Sequence, residues 1–173
     1  MNGISMLVEK KLDYFTDKTL KLYPAAPEEA IINAETRLNC VLSRQYKEFL
    51  QIHNGGRIIE VKINGVQLLG LKRIPNNISV VNRNFEHWSH KWWPKLWLDI
   101  GTDGFGNYYV ADLSRRSESD EYQVLFVDHE TLGGETSASV FALDFLGFLE
   151  RVIDEMIQLY TPEGQLKSKQ GRR

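Results

Sequence analysis

The sequence contains a single cysteine, Cys40, so no disulfide can form within the chain. Its 21 basic and 23 acidic residues give a formal net charge of −2, and this balance disfavours nucleic-acid binding through a basic surface. No segment approaches the about 18 consecutive apolar residues of a membrane span, and the N-terminus does not have the pattern of a secretory signal. These absences predict a cytoplasmic protein in a reducing compartment that binds neither nucleic acid nor membranes.

The size and apolar content of the chain indicate one domain. With 173 residues, 42% of them hydrophobic, and four tryptophans, the chain can bury a substantial core but is too short for two ordinary domains. We predict a single domain over residues 1–162. Residues 163–173 are rich in lysine and arginine and lack aromatic side chains, which predicts a basic, disordered tail.

Helical patterns dominate the N-terminal third. Irregularly spaced apolar residues among lysines predict a short amphipathic helix over residues 4–17. A second helix is predicted over residues 27–38, because Pro27 costs no hydrogen bond in a first turn and the acids Glu28 and Glu29 favour the positive end of the helix dipole.

The next predicted helix has the clearest boundaries. Ser43 is a good N-cap, apolar residues follow at helical spacing, and Asn54-Gly55-Gly56 is typical of a left-handed stop. His53, in the last turn, is interpreted as a stabiliser of the carboxyl end of the helix dipole rather than as a proton carrier, because no catalytic partner is evident beside it.

Later in the chain, residues 78–88 are interpreted either as a helix opened by Asn77 or as a partly irregular segment. A broad apolar face over residues 139–160 predicts a long closing helix with Ser137 or Ser139 as its N-cap.

Three segments predict strands. Alternating β-formers at 58–63 and 66–69 flank Asn64-Gly65, the pair typical of a two-residue hairpin turn. A second hairpin is predicted over residues 99–112, and another strand over 122–128. Together these elements predict an α+β fold with an antiparallel or mixed sheet of about five to six strands, N-terminal helices and a long closing C-terminal helix.

The turn of the second hairpin requires a choice between structure and chemistry. Asp99, Asp103 and Asp112 lie in or beside Gly104-Phe105-Gly106, so a cation site or a catalytic pair is an alternative to a solvated hairpin. The spacing fits neither a calcium loop nor a phosphate-binding loop, and we favour the hairpin.

The aromatic and basic segment at 87–97 allows two interpretations, packing over the sheet or stacking on a ligand. Packing is favoured, since few basic residues accompany the tryptophans. His87 and His90 are spaced as two metal ligands on a helix would be, but no third ligand lies at a recognisable spacing. We predict no metal and no cofactor.

Three separated pieces of the chain form a pattern that resembles the SUKH superfamily. In order, they are 31–56 with Tyr46 and the Asn-Gly ending, 97–113 with Gly106-Asn107 and Asp112-Leu113, and 124–130 followed by 145–149. Ser43 stands where the family usually has proline. Members of this superfamily include the fungal Smi/Knr cell-wall regulators and many bacterial proteins that look like toxin-immunity proteins.

The resemblance implies a non-enzymatic binding domain that neutralises the toxin domain of a cognate bacterial effector. The alternative that it implies is a regulatory scaffold module of the cell-wall-regulator type. Because charge complementarity speeds and selects protein association, the hairpin-side acids are the predicted partner-binding residues. They are Asp99, Asp103, Asp112, Glu118, Asp120, Glu121, Asp128 and Glu130.

An enzymatic alternative uses Asp103, Asp112, His129 and Glu130, since clustered acids and histidines can perform acid–base chemistry. Their spacing matches no catalytic template. The chain is therefore predicted not to be an enzyme, and its oligomeric state is left open.

Overall fold

The computed structural model describes residues 9–66, 79–132 and 138–168. Within these ranges, seven strands form one sheet in which every neighbouring pair is antiparallel and the spatial order follows the chain. The strands are β1 (Leu20–Leu22), β2 (Gly56–Ile58), β3 (Val61–Ile63), β4 (Trp97–Thr102), β5 (Tyr108–Arg116), β6 (Tyr122–Val127) and β7 (Ala138–Ala142).

Besides the helical residues 9–12, four helices accompany the sheet in the same ranges: α1 (Glu28–Leu38), α2 (Arg44–Leu50), α3 (Val80–Trp88) and α4 (Phe145–Leu159). A 3₁₀ turn, His129–Thr131, follows β6. The predicted α+β class, antiparallel sheet, N-terminal helices and closing helix are confirmed, with one or two strands more than predicted. None of the helices in the part of the chain that the structure describes is long and apolar enough to cross a bilayer.

The predicted starts of α1 and α2 are confirmed. Pro27 precedes α1, and the Ser43 hydroxyl accepts a hydrogen bond from the Tyr46 amide over 3.3 Å at the start of α2. Residues 9–12 are helical, but residues 13–17 of the first predicted helix are not, and its earlier part lies outside the described residues. Ser79 caps α3, so residues 80–88 of this segment are helical, and residues 77 and 78 lie outside the described residues.

The end predicted for α2 is wrong by about one turn. The helix ends at Leu50, and the amide of Asn54 is already donating to the carbonyls of Tyr23 and Pro24. This pairing draws the chain toward the strand β2, so His53 lies beyond the helix. Burial lowers the pKa of His53.

The predicted Asn64-Gly65 hairpin turn is also wrong. The register pairs Ile58 with Val61, which puts the turn five residues earlier, at Ile59-Glu60. Ile59 adopts a φ of +54°, a conformation that costs a β-branched residue free energy, and its amide donates to the Thr19 carbonyl over 2.7 Å. Asn64 is buried, and residues 67–69 of the predicted second strand lie outside the described residues.

The predicted start of the closing helix is wrong as well. Residues 138–142 form β7 at the edge of the sheet, and α4 begins only after Asp144, whose carboxylate accepts a hydrogen bond from the Gly147 amide over 2.7 Å. Asp144 is the N-cap in place of the predicted Ser139. Ser137 lies outside the described residues.

The sheet has an apolar layer on each face. Tyr109 and Ala111 of β5 belong to the main core, which also contains buried residues of α1, α2 and α4. Val110 lies between them in the chain and belongs to a smaller cluster with Trp93 and Val127. Because successive side chains of a strand point to opposite faces, the two clusters cover opposite sides of β5.

After α4 the chain folds back on the helix end. The amide of Thr161 donates to the carbonyl of Gln165, and the amide of Lys167 donates to the carbonyl of Leu159. Residues 163–168 of the predicted tail belong to this turn, and residues 169–173 lie outside the described residues.

Candidate partner-binding site

The turn between β4 and β5 is organised by one carboxylate. Oδ1 of Asp103 accepts hydrogen bonds from the amides of Phe105, over 2.8 Å, and Asn107, over 3.1 Å. Its Oδ2 accepts a third from Nδ2 of Asn107, over 2.7 Å. An aspartate that bonds the backbone after it in this way fixes a turn, so Asp103 holds the loop around Phe105.

Two glycines, Gly104 and Gly106, allow the same turn to pack closely against the neighbouring turns. Gly104 has a φ of +84° and Gly106 a φ of +101°, both in the left-handed region that glycine tolerates. A Cβ on Gly104 would lie 2.9 Å from the Cβ of Glu60, and one on Gly106 would lie 3.3 Å from the His129 ring. The turn is thus packed between the β2–β3 turn and the 3₁₀ turn, while Phe105 at its tip is 71% exposed.

Asn107 connects this turn to the end of β6. Its Oδ1 accepts a hydrogen bond from the His129 amide over 3.1 Å and lies 2.9 Å from Nδ1 of the same residue. The carboxylate of Asp128 accepts a hydrogen bond from the Glu130 amide over 2.9 Å. Asp103, Asp128 and Glu130 therefore lie at one end of the sheet.

Glu118, Asp120 and Glu121 lie at the opposite end, around the turn between β5 and β6. Nine residues of β5 separate the two ends, a distance of roughly 27 Å at the usual rise of a strand. Glu118 and Asp120 are exposed there, and Asp120 is 3.3 Å from Arg116. The predicted acids thus form two groups rather than one surface.

Two further predicted acids are buried, Asp112 midway along β5 and Glu121 just before β6. The carboxylate of Asp112 accepts hydrogen bonds from the amide and hydroxyl of Ser114. Glu121 is 2% exposed, and its Oε1 accepts a hydrogen bond from the Gln45 amide, over 3.0 Å, at the start of α2. Burial raises the pKa of Glu121, while the hydrogen bond from Gln45 and the charge of Arg44 oppose that rise.

Asp99 is fully buried at the centre of a polar network. Its Oδ1 accepts hydrogen bonds from Asn64 Nδ2 and the Gly101 amide, and its Oδ2 lies 2.9 Å from His87 Nε2 and 3.5 Å from Arg83 Nε. Asn84 receives the Asp99 amide proton and donates to the Asp99 carbonyl. Asp99 therefore connects α3 to the sheet and does not face the surface.

These positions also bear on the enzymatic alternative. Asp103 and His129 lie near each other, since both bond to Asn107. Asp112 lies about 13 Å along β5 from the start of that strand, where it pairs with Trp97 of β4. The four residues of that hypothesis are not brought together. Within the described ranges, no group of three or more histidine, cysteine or acidic side chains has an arrangement that could hold a metal ion.

Most tryptophan side chains of the aromatic segment at 87–97 pack in the smaller apolar cluster. Trp93 is buried and stacks on His87 at a centroid distance of 4.0 Å, and the indole nitrogens of Trp88 and Trp93 both donate to the Trp97 carbonyl. Trp92 is the exposed member, stacked on His90. His87 is thus a structural residue.

A cleft that the sequence did not predict lies beside Phe105, between the sheet and α4, and we call it the α4 cleft. Its volume is about 360 Å³. Apolar residues of β5, β6, β7 and α4 form much of its wall. Three of the lining residues are exposed to solvent: Phe105, Val140 and Leu159. The only sequence signal for it was an aromatic residue between two glycines at a hairpin tip.

The α4 cleft has more acidic than basic side chains. Glu60, Asp103 and Glu155 line it together with Arg151. The Arg151 guanidinium donates to Glu155 over 2.9 Å and lies 4.1 Å from the centre of the Phe141 ring. Burial raises the pKa of Tyr109 in the cleft wall, and the negative charges of Asp103 and Glu155 add to that rise.

A second groove lies near the end of α1. Its volume is about 400 Å³, and it is lined by Cys40, Val41, Leu96 and Leu113 among others. Cys40 is half-buried, and burial together with the charge of Glu35 raises the pKa of its thiol to about 11. Cys40 is therefore a poor nucleophile at neutral pH.

Comparison with known proteins identifies the family. The model of the SMI1 / KNR4 family (SUKH-1) matches residues 25–151, a span that contains α1, the sheet from β2 to β7 and the first half of α4. A comparison with curated proteins gives no significant match. The matched region covers well over half of the 173 residues and includes the Asp103–Asn107 turn, so the chain belongs to the SMI1 / KNR4 family (SUKH-1).

Proposed function

We propose that this protein is a cytoplasmic immunity protein that binds and neutralises the toxin domain of a cognate bacterial effector, without performing chemistry of its own. Family membership supports a protein-binding role. The observation that carries the proposal is the exposed Phe105, held on a fixed turn beside an apolar cleft with acidic residues. An aromatic anchor on a preorganised loop loses little conformational entropy when it binds.

Growth rescue tests the proposal directly. A candidate toxin domain from a gene adjacent to this one is expressed in cells with and without this protein, and survival is counted. We expect wild-type protein to restore growth and Phe105→Ala to restore it poorly. Ile32→Ala is the matched control, because Ile32 is 55% exposed on the distant helix α1 and loses a comparable apolar side chain.

Stoichiometry separates binding from catalysis. Titration of purified toxin domain with this protein should abolish toxin activity at one equivalent or a fixed small ratio. A catalytic inactivator would instead work at substoichiometric amounts, since each molecule would turn over many times. Abolition of toxin activity by a trace of the protein would contradict the non-enzymatic proposal.

The alternative is a regulatory scaffold module, and the family description, which names SMI1 and KNR4, favours it to the same extent. Such a module would use the same surface on an intracellular partner that is not a toxin. Gene neighbourhood and rescue discriminate between the two. Failure of wild-type protein to protect against the neighbouring toxin, together with stoichiometric capture of a host signalling protein, would favour the regulatory function.

A further inference from the structure

We infer that the α4 cleft binds a polypeptide segment of the partner in which a large apolar side chain is next to a lysine or arginine; this inference rests on the proposed function. It specifies which part of the surface binds and the chemistry of what it accepts. The cleft combines exposed apolar side chains, an excess of negative charge and a small volume.

Three exposed apolar side chains meet at this cleft. Phe105 is 71% exposed, Val140 53% and Leu159 50%, and they reach the same cleft from three different elements. Scattered surface apolar residues are ordinary, but several at one concave site indicate a binding surface. Burial of Phe105 by a partner would remove apolar area from water and favour association.

The charges specify what accompanies the apolar side chain. Three carboxylates line the cleft against one guanidinium, and that guanidinium already bonds to Glu155 and to the Phe141 carbonyl, both over 2.9 Å. The exposed carboxylate of Glu60 has no ion pair among the described residues. A partner cation beside Glu60 would compensate this excess, whereas a partner carboxylate would be repelled.

The dimensions favour side chains over a whole element. A volume of about 360 Å³ is near the lower limit of ligand pockets and is small for the groove that receives an entire amphipathic helix. An apolar centre with charged residues at its rim is the usual anatomy of a protein–protein contact. A loop or extended segment that inserts an apolar side chain and places its cation at the rim fits both features.

Selection from displayed random dodecapeptides tests the inference without any toxin. The full-length protein is the bait, and the Phe105→Ala variant, checked for folding by circular dichroism and thermal unfolding, removes peptides that bind elsewhere. We expect the surviving peptides to be enriched in lysine or arginine within two positions of a large apolar residue. Survivors without that enrichment, or an absence of survivors, would overturn the inference.

A pair of charge reversals tests the electrostatic part. A selected peptide is synthesised, and its Kd is measured by calorimetry for the wild type, Glu60→Lys and Glu118→Lys. Both variants make the same change in net charge, but Glu118 lies at the far end of the sheet. We expect Glu60→Lys to weaken binding about tenfold and Glu118→Lys to change it less than about twofold. Equal effects of the two reversals would contradict the inference.

Other occupants give different results. If a second copy of this chain fills the cleft, sedimentation will show a wild-type dimer that becomes a monomer in Phe105→Ala, and the inference is wrong. The toxin assay keeps the two proposals apart. If the toxin is neutralised but Phe105→Ala and Glu60→Lys leave its affinity unchanged, the cleft assignment fails while immunity stands; if the peptides bind as expected without toxin rescue, immunity fails.

Discussion

Nδ2 of Asn107 donates a 2.7 Å hydrogen bond to the carboxylate of Asp103, and this bond closes the turn that presents Phe105. The same Asn107 accepts the amide proton of His129 from the end of β6. One pair of side chains thus fixes the conformation of the turn and its position against the rest of the sheet. Under the proposed function, this pair preorganises Phe105 for binding and so lowers the conformational entropy lost on association.

Replacement of Asp103 by alanine should loosen the turn while leaving the fold intact. The change removes three acceptor interactions at the surface, for which we expect a loss of about 1–2 kcal/mol in the free energy of unfolding and a fall in Tm of roughly 2–8 °C. Backbone order parameters of residues 104–106 should fall below about 0.6 in NMR relaxation measurements. Asp103→Asn, which keeps an acceptor oxygen, should lie between alanine and wild type, and unchanged order parameters in Asp103→Ala would contradict the assigned role.

Replacement of Asp99 by alanine should destabilise the whole protein. The carboxylate is fully buried, and its removal leaves His87, Asn64 and Arg83 without the acceptor that they share. The loss of one partner from such a network costs about 3–5 kcal/mol. Urea unfolding should show a lower midpoint with an unchanged m-value.

Glu118→Ala is the control for Asp99→Ala, because it removes an exposed acid and should change stability by less than about 0.5 kcal/mol. Partner affinity in Asp99→Ala, corrected for the folded fraction, should equal that of the wild type. A loss of affinity in a fully folded Asp99→Ala protein would restore Asp99 as a binding residue.

Local signals predicted several elements correctly. Ser43 and Pro27 act at the helix starts where capping chemistry places them, and the paired glycines around Phe105 form the expected hairpin turn. The departure from the family pattern at Ser43 has a local explanation, because its hydroxyl supplies a helix cap. Such signals depend on neighbours in sequence, so they can be read from the chain alone.

Tertiary contacts decided the elements that were predicted incorrectly. Ile59 adopts the left-handed backbone conformation, which a β-branched residue disfavours. Its amide donates to the Thr19 carbonyl, forty residues away in the chain. The apolar residues at 138–142 suit both a helix face and a strand, and pairing with β6 selected the strand. Neither outcome is visible in a local pattern.

The positions of the predicted partner-binding acids were the least predictable part. Asp99 and Glu121 look like surface carboxylates in the sequence, yet both are buried because α3 and α2 supply donors for them. The α4 cleft combines side chains from the β2–β3 turn, the β4–β5 turn, β7 and α4. Only the folded chain brings such distant segments together.

The raised pKa of Glu121 predicts a pH-dependent effect of Glu121→Gln. The folded state binds the proton of the Glu121 carboxyl more tightly than the unfolded state does, so protonation of Glu121 stabilises the folded wild type. This stabilisation is complete below the unfolded pKa of about 4.3 and is lost as pH rises through the higher pKa of the folded state. Glutamine cannot ionise and retains an acceptor for the Gln45 amide. The stability of Glu121→Gln relative to wild type should therefore increase with pH across this window and then level off.

Urea unfolding at a series of pH values measures this difference. Glu118→Gln makes the same change in net charge at an exposed position of the same β5–β6 turn and corrects for general electrostatic effects. A relative stability that is constant from pH 4 to 8, or that decreases with pH, would show that Glu121 is not held as a destabilised carboxylate.

The thiol of Cys40 should alkylate slowly in the native protein. Burial, with the nearby Glu35 carboxylate, raises its pKa to about 11, whereas an unperturbed cysteine titrates near 8.5. At pH 8 the thiolate fraction is then lower by roughly a hundredfold, and iodoacetamide should modify Cys40 more slowly than glutathione by a similar factor. The rate should rise about tenfold per pH unit up to pH 10, and urea-unfolded protein should react at the glutathione rate. A native rate equal to that of glutathione at pH 8 would contradict the burial of the thiol beside Glu35.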